Sequence, residues 1–158
     1  MGVWAERFYE DEDLAAFGLW TVNPFRVEQG HLSLRQVRWV EKKIQEIPED
    51  KWKVIACHHP PDTLKSESIH RLLALKPDLI LWGHDHQSRA FYADSAINKA
   101  TVMLAAGTSI SSRTRSEANS FNRVSFIDKK IKVEIFTHSA EKSEFLLTET
   151  YHFDSFGG

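Results

Sequence analysis

Residues 52–61, Trp52-Lys53-Val54-Ile55-Ala56-Cys57-His58-His59-Pro60-Pro61, set β-forming side chains directly against two histidines and a pair of prolines. Trp52–Cys57 reads as a short strand. It gives out at His58-His59, where the ring of Pro60 holds the residue before it in an extended geometry. The layout recurs downstream. Leu79-Ile80-Leu81-Trp82 is an unbroken apolar run of the kind a parallel strand buried on both faces requires, so Asp78–Trp82 reads as a strand that ends at Gly83-His84-Asp85-His86. Between the two runs, Glu67–Leu75 puts Ile69, Leu72 and Leu73 on one side of a helix that closes before Lys76-Pro77. Upstream, Leu34, Val37, Val40, Ile44 and Ile47 recur at helical steps, which predicts a helix from Ser33 to Ile47. Ser33 and Gln36 fit a reciprocal capping box at its start, and Pro48 stops it. Asp13–Val22 reads as an earlier strand, broken by Asn23-Pro24.

The order strand, helix, strand, helix, strand predicts a layered α/β (α+β) arrangement. The last third changes character, with strands expected at Ala90–Tyr92, Thr101–Ala106, Asn122–Asp128, Ile131–Thr137 and Glu144–Phe153. Asp128-Lys129-Lys130 is short enough to join two of these as a hairpin, although it lacks the Asn-Gly or Asp-Gly that two-residue turns favour. A mixed sheet followed by antiparallel strands is therefore the expected architecture, in a single domain of 158 residues.

Composition narrows the function classes. Twenty Lys and Arg against 22 Asp and Glu leave a net charge of −2, which supplies no broad basic surface for nucleic acid. No apolar run approaches bilayer length, so no membrane span is expected. The one cysteine, Cys57, has no partner within the chain for a disulfide, and no secretion signal opens the sequence. Both suit a reducing compartment and a cytoplasmic location.

The two histidine clusters sit where strands run out into loops, the edge at which open α/β sheets bind ligands. In an extended chain residues i and i+2 share a face, so His84 and His86 are expected to aim at one spot. Neutral imidazole suits zinc, manganese, iron and similar ions. His58 and His59 face opposite ways in an extended segment, and spacing alone leaves open which of them points inward. Single histidines such as His31, His70, His138 and His152 read as ordinary side chains. Arg113 and Arg115, among Ser109, Ser111, Ser112 and Thr114, form a candidate cradle for an anionic substrate, against the plainer reading of a solvated loop. Trp39, Trp52 and Trp82 read as core.

Cys57-His58-His59-Pro60-Pro61, followed about two dozen residues later by Gly83-His84-Asp85-His86, resembles the last two metal motifs of the calcineurin-like metallophosphoesterases. The likeness is greatest to the bacterial members of the cyclic-nucleotide phosphodiesterase type. It implies part of a four-layer α/β/β/α sandwich and a phosphodiesterase or phosphomonoesterase that works with two divalent ions, Mn, Fe or Zn. Carried over by position, His58 and His84 match ligands of one ion and His86 a ligand of the other. His59 matches a neighbour that supports the ligands. A small phosphate ester such as a cyclic nucleotide is the implied substrate.

The family's earlier motifs, Asp-x-His, Gly-Asp-x-x-Asp and Gly-Asn-His, are absent from the sequence. Residues 1–158 therefore resemble the C-terminal portion of such a domain. Three neutral imidazoles offset none of the four positive charges of an ion pair, so the chain alone is expected to be inactive or nearly so. One ion held by His58, His84 and either His86 or Asp85 is the lesser expectation. Two readings from other classes stand beside the hydrolase. One is a subunit of a split protein whose missing half is a separate chain, and the other a non-catalytic metal-binding module.

Overall fold

The computed structural model describes residues 7–22, 30–93, 101–110 and 117–154. Nine strands and two helices make up the described fold: β1 (Arg7–Glu10), β2 (Leu14–Gly18), α1 (Leu34–Ile44), β3 (Trp52–Ala56), α2 (Ser66–Ala74), β4 (Leu79–His86), β5 (Arg89–Tyr92), β6 (Val102–Gly107), β7 (Ser120–Ile127), β8 (Lys130–Ser139) and β9 (Glu144–Asp154). A single 3-10 turn, Pro61–Thr63, follows the histidines of the first cluster. Six strands form a mixed sheet in the order β1-β2-β3-β4-β6-β5, and β7-β8-β9 form a second sheet. In the first, β2, β3, β4 and β6 run parallel, with antiparallel β1 and β5 at the edges. The second is antiparallel throughout.

Apolar side chains sort onto the two faces of the larger sheet. Phe17, Ile55, Ile80 and Met103 join Val37, Val40, Ile44 and Leu72 of the helices in one core. Val54, Leu79, Val102 and Leu104 meet Ile131, Val133, Ile135 and Phe153 of the smaller sheet in a second. The result is helices, six-stranded sheet and three-stranded sheet in that order. Of the four layers that the family resemblance implies, the described residues supply these three.

Local chemistry moves several expected boundaries. The strand expected to run to Val22 ends at Gly18. Leu19 N–H still reaches the carbonyl of Ala56 at 2.8 Å, but the Gln36 side chain takes over at Trp20. Its Oε1 accepts from Trp20 N–H at 2.8 Å and its Nε2 donates to Trp20 O at 3.0 Å. Gln36 thus stands in for a neighbouring strand. Half of the expected capping box remains, with Ser33 accepting from Gln36 N–H at 3.3 Å. The helix stops at Ile44, short of Ile47, and Ile47 is nonetheless buried just beyond its end. Arg71 grips Glu41 with two hydrogen bonds of 2.7 Å, which locks α2 to α1. Strand β1 is not expected from sequence spacing, because its four residues are mostly exposed and carry no apolar alternation. The β7–β8 hairpin closes with Ile127 paired to Lys130, and both Asp128 (φ 47) and Lys129 (φ 58) take left-handed conformations. The two-residue turn therefore forms without the glycine it prefers.

On the smaller sheet Glu134 is buried, and it accepts from Arg123 Nε at 2.9 Å and pairs with Lys132 Nζ at 2.8 Å. The Arg123 and then the Lys132 hydrogen bonds hold its carboxyl down at about 2, from an ordinary 4.5. Below pH 4.5 an unfolded chain takes up a proton here that the folded chain refuses until about pH 2. Stability from this group is complete above 4.5 and drains away as the pH falls toward 2. Urea midpoints at about pH 5 and about pH 3 should differ less for Glu134→Gln than for the parent chain.

Candidate metal centre

β3 and β4 are parallel neighbours, with Val54 opposite Leu79 and Ala56 opposite Leu81, so their carboxyl ends finish side by side. The pairing continues past β3. Cys57 N–H donates to Leu81 O at 2.9 Å, and Gly83 N–H donates to His58 O at 3.1 Å. This lacing delivers His58 and His84 to one place from separate segments. His58 Nε2 and His84 Nδ1 lie 3.3 Å apart, with the rings nearly perpendicular at 87°. Two nitrogens bound to one tetrahedral ion at about 2.0–2.1 Å each lie about 3.4 Å from one another. The observed spacing matches the edge of such a site and is equally a hydrogen-bonding distance between the two rings. His59 completes a group of three, since the nitrogens of His58, His59 and His84 all fall within 4.8 Å of one another. Burial, followed by the neighbouring His59, His84 and His86, pulls the His58 imidazole below its ordinary value.

His86 takes a different place. His84 (φ 73) and His86 (φ 61) both occupy the left-handed region, which L-residues enter only at a cost of about 1–2 kcal/mol. Between Trp82 and His86 strand β4 advances four residues while β6 advances two, from Ala105 to Gly107. This bulge breaks the pleat on which a shared i, i+2 face depends. The structure places the His86 ring against Thr108, Nδ1 to Oγ1 at 2.5 Å, outside the close group of three. Asp85 meets the Arg89 guanidinium at 3.4 Å.

Two residues that spacing arguments missed hold the cluster from behind. Thr21, fully buried, offers its Oγ1 to the backbone N–H groups of His58 at 3.2 Å and His59 at 3.0 Å, and the same oxygen lies 3.1 Å from His59 Nδ1. Gly30 lies so close that an added Cβ would sit 2.6 Å from His59 Cβ and 2.7 Å from Leu64 Cδ2. Neither belongs to a recognisable spacing, and the one signal available was Gly30 between the first strand and the first helix. Cys57 is no competitor for an ion. Burial pushes its thiol up to about 12, and Sγ–H donates to His59 O at 3.3 Å, so no thiolate forms near neutrality. Arg113 and Arg115 lie outside the described residues. His31, His70 and His152 are exposed, and His138 packs edge-on against Phe145 with ring centroids 5.3 Å apart.

Histidine clusters at adjoining strand ends, on a mixed sheet backed by a second sheet, agree with the metallophosphoesterase class that the sequence motifs resemble. The chain belongs to the calcineurin-like phosphoesterase family, whose model matches residues 6–88. That span takes in β1 to β4 and both histidine clusters.

No curated protein matches the chain. Among solved structures it is similar to Vps29 of Chaetomium thermophilum, with 13% identity over 95% of this chain and 59% of that one, at a TM-score of 0.45. It is also similar to a predicted phosphoesterase of Streptococcus pneumoniae (14% identity, 94% of this chain, 60% of that one, TM-score 0.45). A third is vacuolar protein sorting 29 of Cryptosporidium parvum (18% identity, 58% of this chain, 45% of that one, TM-score 0.42). The chain thus spans about half the length of the first structures it matches. No helix among the described residues is long and apolar enough to cross a membrane.

Proposed function

We propose that this chain carries the histidine half of a metal-dependent phosphoric ester hydrolase, in which His58 and His84 hold one divalent cation. The observation that carries the reading is the 3.3 Å separation of His58 Nε2 from His84 Nδ1, the spacing of two ligands on one ion. Manganese, iron and zinc all accept imidazole. A cation there would supply Lewis acidity to a phosphoryl oxygen of a small phosphate ester, a cyclic nucleotide being the favoured example. The chain's own side chains do the rest. His58 and His84 supply imidazole nitrogens, and His86, its Nδ1 engaged by Thr108, is in this reading the ligand of a second ion. Arg113 and Arg115 serve in this reading as guanidinium donors to the ester's phosphate.

The described residues fit one cation better than two. No carboxylate joins the close histidine group among them, and the sequence holds none of the family's acidic motifs. Two uncompensated dications a few ångströms apart repel strongly in a partly dry site. The acidic groups of a complete centre would come from elsewhere, such as a separate chain. The missing carboxylate also favours a second reading, a module that binds one cation without turnover. Hydrolysis of bis-p-nitrophenyl phosphate with added manganese tests the half-site. The expected result is one cation bound per chain and turnover no faster than manganese alone. Robust turnover that His84→Ala abolishes would show that the histidine set suffices by itself, and absence of cation binding would overturn the metal reading.

A further inference from the structure

Thr21 makes three polar contacts through a single oxygen, and their arithmetic fixes the state of the neighbouring ring. A threonine hydroxyl has two acceptor lone pairs and one hydrogen to give. The backbone N–H groups of His58 and His59, at 3.2 and 3.0 Å, are pure donors and take both lone pairs. The remaining contact, 3.1 Å to His59 Nδ1, is left only the hydroxyl hydrogen. Nδ1 must therefore be the acceptor, and in a neutral imidazole the proton then sits on Nε2. The clamp is built into the core: Thr21 is fully buried, His59 is 1% exposed, and Gly30 packs against the His59 Cβ. Moving the ring proton to Nδ1 would point a third donor at an oxygen with no lone pair left, a buried mismatch the folded chain avoids.

We infer that Thr21 is a positioning residue that keeps His59 out of the cation's ligand set and makes it a hydrogen-bond donor. Proximity alone groups His59 with His58 and His84, but a ring with Nδ1 occupied by a hydroxyl and Nε2 protonated has no lone pair to offer a metal. Its Nε2–H is a hydrogen-bond donor and refuses a cation. Through the two backbone contacts the same hydroxyl also fixes the turn that carries His58. The inference rests on the cation reading for its consequence but on hydrogen-bond geometry for its substance.

Nitrogen-15 correlation spectra of the imidazole rings read the tautomer directly, with and without zinc. In the parent chain and in Thr21→Ser, which keeps the hydroxyl, His59 should carry its proton on Nε2 both before and after zinc is added. The His58 and His84 signals alone should respond to the metal. In Thr21→Val, similar in shape but without the hydroxyl, the His59 preference for Nε2–H should be lost. A proton on Nδ1 in the parent chain, or loss of the Nε2 proton on zinc addition, would overturn the inference, and the parent spectrum decides this even if Thr21→Val does not fold. An Nε2–H tautomer in a chain that binds no zinc would uphold the clamp and overturn the cation reading.

Discussion

Replacing His84 with glycine should abolish the modest cation binding while leaving the fold as stable as before, or more so. Removing an outer partner of a metal ligand already lowers affinity about 10–100-fold, so loss of one of two imidazoles 3.3 Å apart should lower it at least about a hundredfold. Stability should move the other way, because His84 sits at φ 73, where glycine rests without strain. The change removes a penalty of about 1–2 kcal/mol, partly offset by the greater freedom of glycine in the unfolded chain. Titration calorimetry with zinc and a thermal melt separate the two effects. His152→Ala, at an exposed position on β9, should alter neither. A glycine variant that binds zinc as well as the parent would remove His84 from the site. One that loses binding only because it unfolds would remove the argument from strain.

The largest effect on stability should come from Phe17→Ala. Phe17 is completely buried near the end of β2, with ring centroids 5.2 Å from Phe8 and 5.8 Å from Trp39. It joins the sheet to α1, in one core with Val37 and Val40. Truncation of a buried phenylalanine costs about 3–5 kcal/mol, a large part of the 5–15 kcal/mol by which domains are stable. At about 2–4 °C per kcal/mol for chains of this size, the melting temperature should fall by roughly 6–20 °C. A drop of only about 1–2 °C would show that β2 is not held against α1 as described.

The parts of the fold legible in the sequence are those where side chains repeat. The stripe Val37, Val40 and Ile44 and the run Leu79 to Trp82 announce their elements, because burial on one face or on both imposes a period. What the period does not carry went unread. β1 holds its place through main-chain pairing with β2 and the apolar contact of Phe8 with Phe17, while Arg7, Tyr9 and Glu10 lie exposed. The early end of β2 depends on Gln36, 16 residues away from Trp20 in the chain. At the site, the convergence of His58 and His84 follows from parallel pairing of two recognisable strands. The orientation of His86 depends on a bulge and two left-handed residues, for which histidine carries no signal. Thr21 and Gly30 act through a hydroxyl and a missing side chain, and neither leaves a pattern along the chain.

X-ray absorption at the zinc edge, on the chain loaded with one equivalent of zinc, addresses the metal centre most directly. Two imidazole nitrogens at about 2.0–2.1 Å, with the outer scattering of their rings, are the expected first shell, and His58→Ala combined with His84→Gly should erase them. A shell of water oxygens alone, or an imidazole signal that survives the double substitution, would contradict the placement of the cation between these two rings.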